Sequence, residues 1–193
     1  MKHLPLALLA LGAGALAAAP ALMPAGYDWL RHTTSESAAQ GVPGAWLARL
    51  GFLAFGLAVL WIAARLGPHW SRPTRALLLA FGVLMLATAA FSTRPWQPDA
   101  PFDPVEDALH SFSATAMGFA FAFGLTARLL KRGRDRLGQG LDAVGIAAAV
   151  LIPLAMSTLT DWTGLLQRGM FAIAFLWYGV ELCRSPQERA DVA

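Results

Sequence analysis

The stretch Asp103–Gly124, DPVEDALHSFSATAMGFAFAFG, carries carboxylates at Asp103, Glu106 and Asp107, passes His110, and runs on into small and apolar residues. No Asp, Glu, Lys or Arg occurs from Ala108 to Ala127. A helix rises about 1.5 Å per residue, so a run of about 20 uncharged residues matches a bilayer hydrocarbon core about 30 Å thick. The stretch therefore reads as a membrane helix with a titratable cluster at its mouth.

The rest of the chain agrees. Of 193 residues, 56% are hydrophobic and 14% charged, against roughly 45–50% and 25% in soluble domains. Mean hydropathy is +0.51. Six segments approach spanning length, at about 4–24, 45–66, 74–92, 107–129, 140–160 and 166–183. The expected architecture is all-α, a six-helix transmembrane bundle forming one domain over 1–193. The connections at about 25–44 and 93–106 are rich in Pro, Gly, Ser and acidic residues, as loops are. The first segment, MKHLPLALLALGAGALAAAPA, also has the basic start and small residues of a secretory signal. Its apolar run to Met23 favours a retained helix.

Lys2, Arg65, Arg72, Arg75, Arg128, Lys131, Arg132, Arg134, Arg136, Arg184 and Arg189 fall on one side of this arrangement. Only Arg31, Arg49, Arg94 and Arg168 fall on the other. The positive-inside rule puts both termini in the cytoplasm, with the cell inner membrane as the location. The net charge of +3 is then an orientation signal, and no nucleic-acid partner is expected. Trp29, Trp46, Trp70, Trp96 and Trp162 fall near helix ends, where indoles suit headgroups.

Three loops gather polar residues on the outer side. The first carries Ser35, Glu36 and Ser37. The third carries Asp99, Asp103, Glu106 and Asp107, leading to His110, and the fifth carries Asp161, Gln167 and Arg168. Glu106 and Asp107 stand four and three residues before His110, so either could meet the imidazole on a helix and raise its pKa. Ionisable residues in a span mark a site, or else a buried pair that holds a loop. Arg168 lies on the side that avoids basic residues and calls for Asp161, Glu36, a loop-three acid or a lipid phosphate. Ser111-xxx-Thr115 and Ala114-xxx-Gly118 read as a helix-packing face. Pro153 is expected to bend helix five toward Ser157 and Thr158. Asp142 and Glu181 read as ordinary interfacial carboxylates.

Three stretches in order, YDWLRHTTSESAAQGVPGAWLARLGFLAFG (27–56), FSTRPWQPDAPFDPVEDALHSFSATAMGF (91–119) and GLLQRGMFAIAFLWYG (164–179), resemble the bacterial and archaeal membrane family catalogued as domain of unknown function 998. The resemblance implies six helices and no established activity. It matches a serine–glutamate pair to Ser35 or Ser37 with Glu36, an aspartate–proline and histidine to Asp103-Pro104 and His110, and a glutamine–arginine pair to Gln167-Arg168. The acidic loop QPDAPFDPVED is longer than the family pattern, which leaves open which carboxylate plays the family's part.

The favoured function is nonenzymatic binding of a membrane lipid, a membrane-protein partner or a second copy of the chain, with Glu36, Asp103, Glu106, His110, Gln167 and Arg168 as ligand-binding candidates. The alternative is a hydrolase or transferase on a lipid-linked substrate, with His110 and Asp107 as catalytic candidates and His110 as acid/base or metal ligand. Ser113, one turn on, lacks the sequence context of an activated nucleophile. No HxxxH or HExxH occurs, so no metal is assigned. The single cysteine, Cys183, excludes a thiolate-rich cluster. His3, His32 and His69 lie in tail or loops, leaving no second membrane histidine for haem, and no cofactor is expected. The middle of the spans lacks the ionisable chain of a proton-coupled transporter.

Overall fold

Helix starts are written locally. Asp103 accepts hydrogen bonds from the backbone N–H groups of Val105 (2.8 Å) and Glu106 (3.4 Å), and Pro104 occupies the first helical position, where its missing N–H is harmless. Ser71 and Asp135 cap their helices in the same way, through Thr74 N–H and Gly138 N–H. The structure, a computed structural model, describes residues 3–66, 69–131 and 135–184. It contains six α-helices: α1 His3–Ala18, α2 Ala45–Leu66, α3 Arg72–Ala90, α4 Pro104–Leu129, α5 Arg136–Met156 and α6 Thr163–Cys183. Short 3-10 turns lie at Ala19–Leu22, Glu36–Ala38 and Thr160–Trp162.

Five of the helices, α1 to α5, are long and apolar enough to cross a membrane, so the chain is a multi-pass membrane protein. Gln167, Arg168 and Glu181 make α6 more polar. Caps shift the boundaries from the hydropathy spans. α4 begins at Pro104, not near 107, and α5 runs Arg136–Met156 instead of about 140–160. Of the basic residues counted above, Lys2, Arg132, Arg134 and Arg189 lie outside the described residues.

Each helix packs on its neighbour in sequence, and α6 returns against α1 and α2. α1 is part of this packing. Leu9, Ala15 and Leu16 are buried, and a methyl group at Gly12 would stand 3.1 Å from the Gly51 carbonyl oxygen of α2. The central core is aromatic: Phe55 and Phe175 stack with centroids 3.9 Å apart, and Phe81, Phe121, Trp177 and Tyr178 pack around them.

α5 departs from this pattern. Gly138, Asp142, Gly145 and Ala148 are its buried residues, and none follows from Ala149 to Met156. At Gly145 the helix lies against Leu125 and Phe121 of α4. Toward the other end of α4, Ser111 and Thr115 are exposed and a methyl group at Gly118 would meet nothing within 4 Å. Among the described residues, then, the small-residue face expected to pack helices together is left largely uncovered.

Candidate functional site

Most of the polar residues picked from sequence bind the backbone of the loops. His110 is buried, and its Nδ1 lies 2.8 Å from the Phe91 carbonyl oxygen at the end of α3. Glu106 accepts from Ser92 N–H at 2.6 Å, and Asp107 accepts from the Thr93 hydroxyl at 2.9 Å and Arg94 N–H at 2.8 Å. One face of the first turns of α4 thus clamps Phe91–Arg94 residue by residue. Among the described residues neither carboxylate meets His110, contrary to the helical-spacing expectation. A chain leaving α3 exposes unsatisfied backbone groups that compete for them. Gln40 joins the first loop to this clamp. Its amide donates to the carbonyls of Ser92 (2.8 Å) and Asp103 (3.0 Å), and its oxygen accepts from Asp103 N–H at 2.6 Å.

The α6 residues hold the first loop. Arg168 donates to the carbonyls of Trp29 (2.7 Å) and His32 (2.9 Å) and to the Tyr27 hydroxyl (2.6 Å), while Gln167 accepts from Ser35 N–H at 3.2 Å. Tyr27 in turn donates to the Thr33 carbonyl at 3.0 Å. Burial raises the Tyr27 phenol pKa, with the Arg168 charge pulling the other way. The acidic partner expected for Arg168 is absent among the described residues. Asp161 pairs instead with Arg31 at 2.8 Å, both exposed. Carbonyls serve Arg168 because loop backbone left inside the protein needs donors. Glu36 accepts through Oε2 from Thr33 N–H (2.6 Å) and the Thr33 hydroxyl (2.9 Å).

Between these loops and the end of α5 lies a cavity of about 720 Å³. Its lining includes the polar residues Glu36, Thr33, Thr93 and Arg94 and the apolar residues Trp96, Phe102, Pro153 and Met156. Of the sequence candidates Glu36 lines it, while Asp103, Glu106, Asp107, His110, Gln167 and Arg168 belong to the frame around it. Pro153 and Ser157 do meet a cleft there. Sequence reading missed Arg94, Trp96 and Phe102, although the run RPWQPDAPF, with aromatics set among prolines, was the available signal. Trp96 packs on Tyr27 and His32, with centroids 5.0 and 5.4 Å away, instead of standing free at a headgroup belt. Trp29, Trp46 and Trp162 are exposed.

The opposite end holds a charged cluster that the sequence reading passed over. Arg128 is buried between Trp70 and Trp177, at 5.2 and 5.1 Å from their ring centroids. It pairs with Glu181 at 2.5 Å and lies 3.7 Å from Asp142, whose carboxylate accepts from the Trp177 indole at 2.8 Å. Arg184 pairs with Asp135 and stands 3.4 Å from Glu181. Asp142 and Glu181 are fully buried partners, not interfacial carboxylates. Their positions inside predicted spans were the signal.

Chemically, the loop-end frame is occupied with backbone, and Ser113 is buried. No group of three His, Cys, Asp or Glu placed to hold a metal occurs among the described residues. No curated protein and no solved structure matches the chain. A family model described as "Protein of unknown function (DUF998)" matches residues 5–182, and with nearly the whole chain covered, including every helix of the bundle, this multi-pass membrane protein belongs to that family.

Proposed function

We propose that the chain binds a membrane lipid in the cavity between the loops and the end of α5. In this reading both termini are cytoplasmic and the cavity faces the outer leaflet of the cell inner membrane. The observation that carries it is the mixed lining of the cavity, which combines the charged Glu36 and Arg94 with the apolar Trp96, Phe102, Pro153 and Met156. Small-molecule sites occupy roughly 300–1,000 Å³, and this cavity, at about 720 Å³, falls in that range. On α5, next to Pro153, Val150, Leu151 and Leu154 are exposed, which gives acyl chains an apolar path out of the cavity.

Binding is favoured over hydrolysis or group transfer because the groups that would do chemistry are engaged. The His110 ring is tied to a carbonyl, and Asp107 holds two donors. The test is native mass spectrometry of the gently purified full chain. Wild type should retain phospholipid, and Ser157→Tyr, which adds an aromatic ring at an exposed lining position of the cavity, should lose it at unchanged melting temperature. His110→Gln should retain it, since His110 stands outside the cavity. Equal retention by wild type and Ser157→Tyr would reject the cavity as the site.

A second reading, association with another membrane protein or a second copy of the chain, is favoured by the uncovered α4 face at Ser111, Thr115 and Gly118. Small residues of this kind allow close helix approach in a bilayer. Cross-linking between cysteines placed at Thr115 in two copies would support it, and a monomer at all protein-to-lipid ratios would remove it.

A further inference from the structure

The cavity's two charged groups have opposite signs and are not spent on each other. Glu36 uses Oε2 for Thr33, and its Oε1 has no partner among the described residues. Arg94 is anchored through its backbone N–H, which donates to Asp107 at 2.8 Å. Its side chain is exposed and has no hydrogen bond or ion pair among the described residues. A carboxylate and a guanidinium lining one cavity, each fixed at its base and not paired with each other, complement a ligand that carries both charges.

Resting on the lipid-binding reading, we propose that the cavity selects phospholipids with a primary ammonium on the phosphate, the phosphoethanolamine headgroup. The phosphate lies on Arg94, whose planar fork matches two phosphate oxygens. The ammonium donates to Glu36 Oε1, and the hydroxyls of Thr33 and Thr93, which line the same cavity, are acceptors for its remaining N–H groups. A trimethylated ammonium carries charge but no N–H donor, and a glycerol headgroup carries no cation. The polar lining therefore discriminates by hydrogen bonding as well as by charge. The apolar lining accounts for the diacylglycerol part, leading from Phe102 and Met156 toward the exposed outer residues of α5.

The experiment offers the full chain in detergent an equimolar mixture of dioleoyl phosphatidylethanolamine, phosphatidylcholine and phosphatidylglycerol, and reads bound species by native mass spectrometry. Wild type should retain the ethanolamine lipid about tenfold over the other two, the scale of one charge-assisted hydrogen bond. Glu36→Gln keeps an acceptor for Thr33 but removes the charge, and should bring ethanolamine and choline lipids to near equality. Arg94→Gln, at a side chain with no structural partner, should weaken all three alike. Equal retention of the three lipids by wild type, with retention still lost in Ser157→Tyr, would overturn the headgroup assignment and leave lipid binding standing. No retained lipid at all would remove both. Displacement by water-soluble glycerophosphoethanolamine at the lipid's own concentration would overturn a lipid as the source of the headgroup.

Discussion

Arg168 at the start of α6 and Tyr27 in the first loop are joined by a 2.6 Å hydrogen bond, with the Tyr27 hydroxyl donating in turn to the Thr33 carbonyl. The two side chains make a relay from a helix to a loop that lies far away in sequence. Because Arg168 also holds the carbonyls of Trp29 and His32, one guanidinium orders most of a loop that has no secondary structure of its own beyond a single 3-10 turn.

Arg168→Lys should therefore behave as a partial loss. A point-charge ammonium cannot reach three acceptors spread across a planar fork, and hydrogen bonds to charged groups contribute about 1.5–3 kcal/mol each. Arg168→Gln should lower thermal stability by more than Arg168→Lys, and both should speed labelling of a cysteine placed at Ser35. Unchanged labelling would mean that Arg168 does not hold the loop.

Gly164 and Gly169, both on α6, form a matched pair. A methyl group at Gly164 would fall less than 3.0 Å from the carbonyl oxygens of His32, Trp29 and Leu30, whereas one at Gly169 would meet nothing within 4 Å. Gly164→Ala should destabilise by about 1–3 kcal/mol, as overpacking does. Gly169→Ala should be neutral or slightly stabilising from helix propensity. Thermal unfolding in one detergent checks both, and equal melting temperatures would contradict the close approach of α6 to the loop.

His110→Gln keeps a donor that can reach the Phe91 carbonyl, while His110→Leu leaves that carbonyl unpaired. The leucine variant should lose about 1–3 kcal/mol and the glutamine variant less. If both variants keep wild-type stability, the bond to Phe91 carries no weight in the fold.

At the opposite end, Glu181→Leu leaves Arg128 without its 2.5 Å partner in a buried setting. Removing one member of a buried ion pair costs about 3–5 kcal/mol. The variant should unfold at markedly lower temperature, and Arg128→Met combined with Glu181→Leu should recover much of the loss. A double variant no better than the single one would show that the remaining charges, Asp142 and Arg184 among them, dominate.

Alkaline pH should weaken the first-loop relay. Burial raises the Tyr27 phenol above its ordinary value of about 10, so the folded state binds this proton more tightly than the unfolded one. That contribution is complete below about pH 10 and is lost as pH rises through the raised value. Tyr27→Phe should flatten this part of the stability profile above pH 10 while lowering stability at neutral pH. Identical alkaline slopes would assign the effect elsewhere.

The sequence by itself determined the helices and, through them, the class of protein. Length of apolar run, Asp-Pro and Ser or Asp caps and the alternation of spans and loops are local properties, and a bilayer requires that backbone polar groups be satisfied within each segment. That His110, Glu106 and Gln167 belong near one end was equally readable, since helix direction alternates. What they bind was not. A carboxylate three or four residues from a histidine is equally near in sequence whether it pairs with the ring or with a loop, and only the path of Phe91–Arg94 across the first turns of α4 decided for the loop. Arg128 likewise read as an orientation charge, and Asp142 and Glu181 as interfacial carboxylates, until three separate helices brought them to one buried point with Trp177. The cavity needed more still, because its lining comes from two loops and the end of α5, where no α5 residue after Ala148 is fully buried. Contacts between segments distant in sequence carry no local pattern, so tertiary structure alone could supply them.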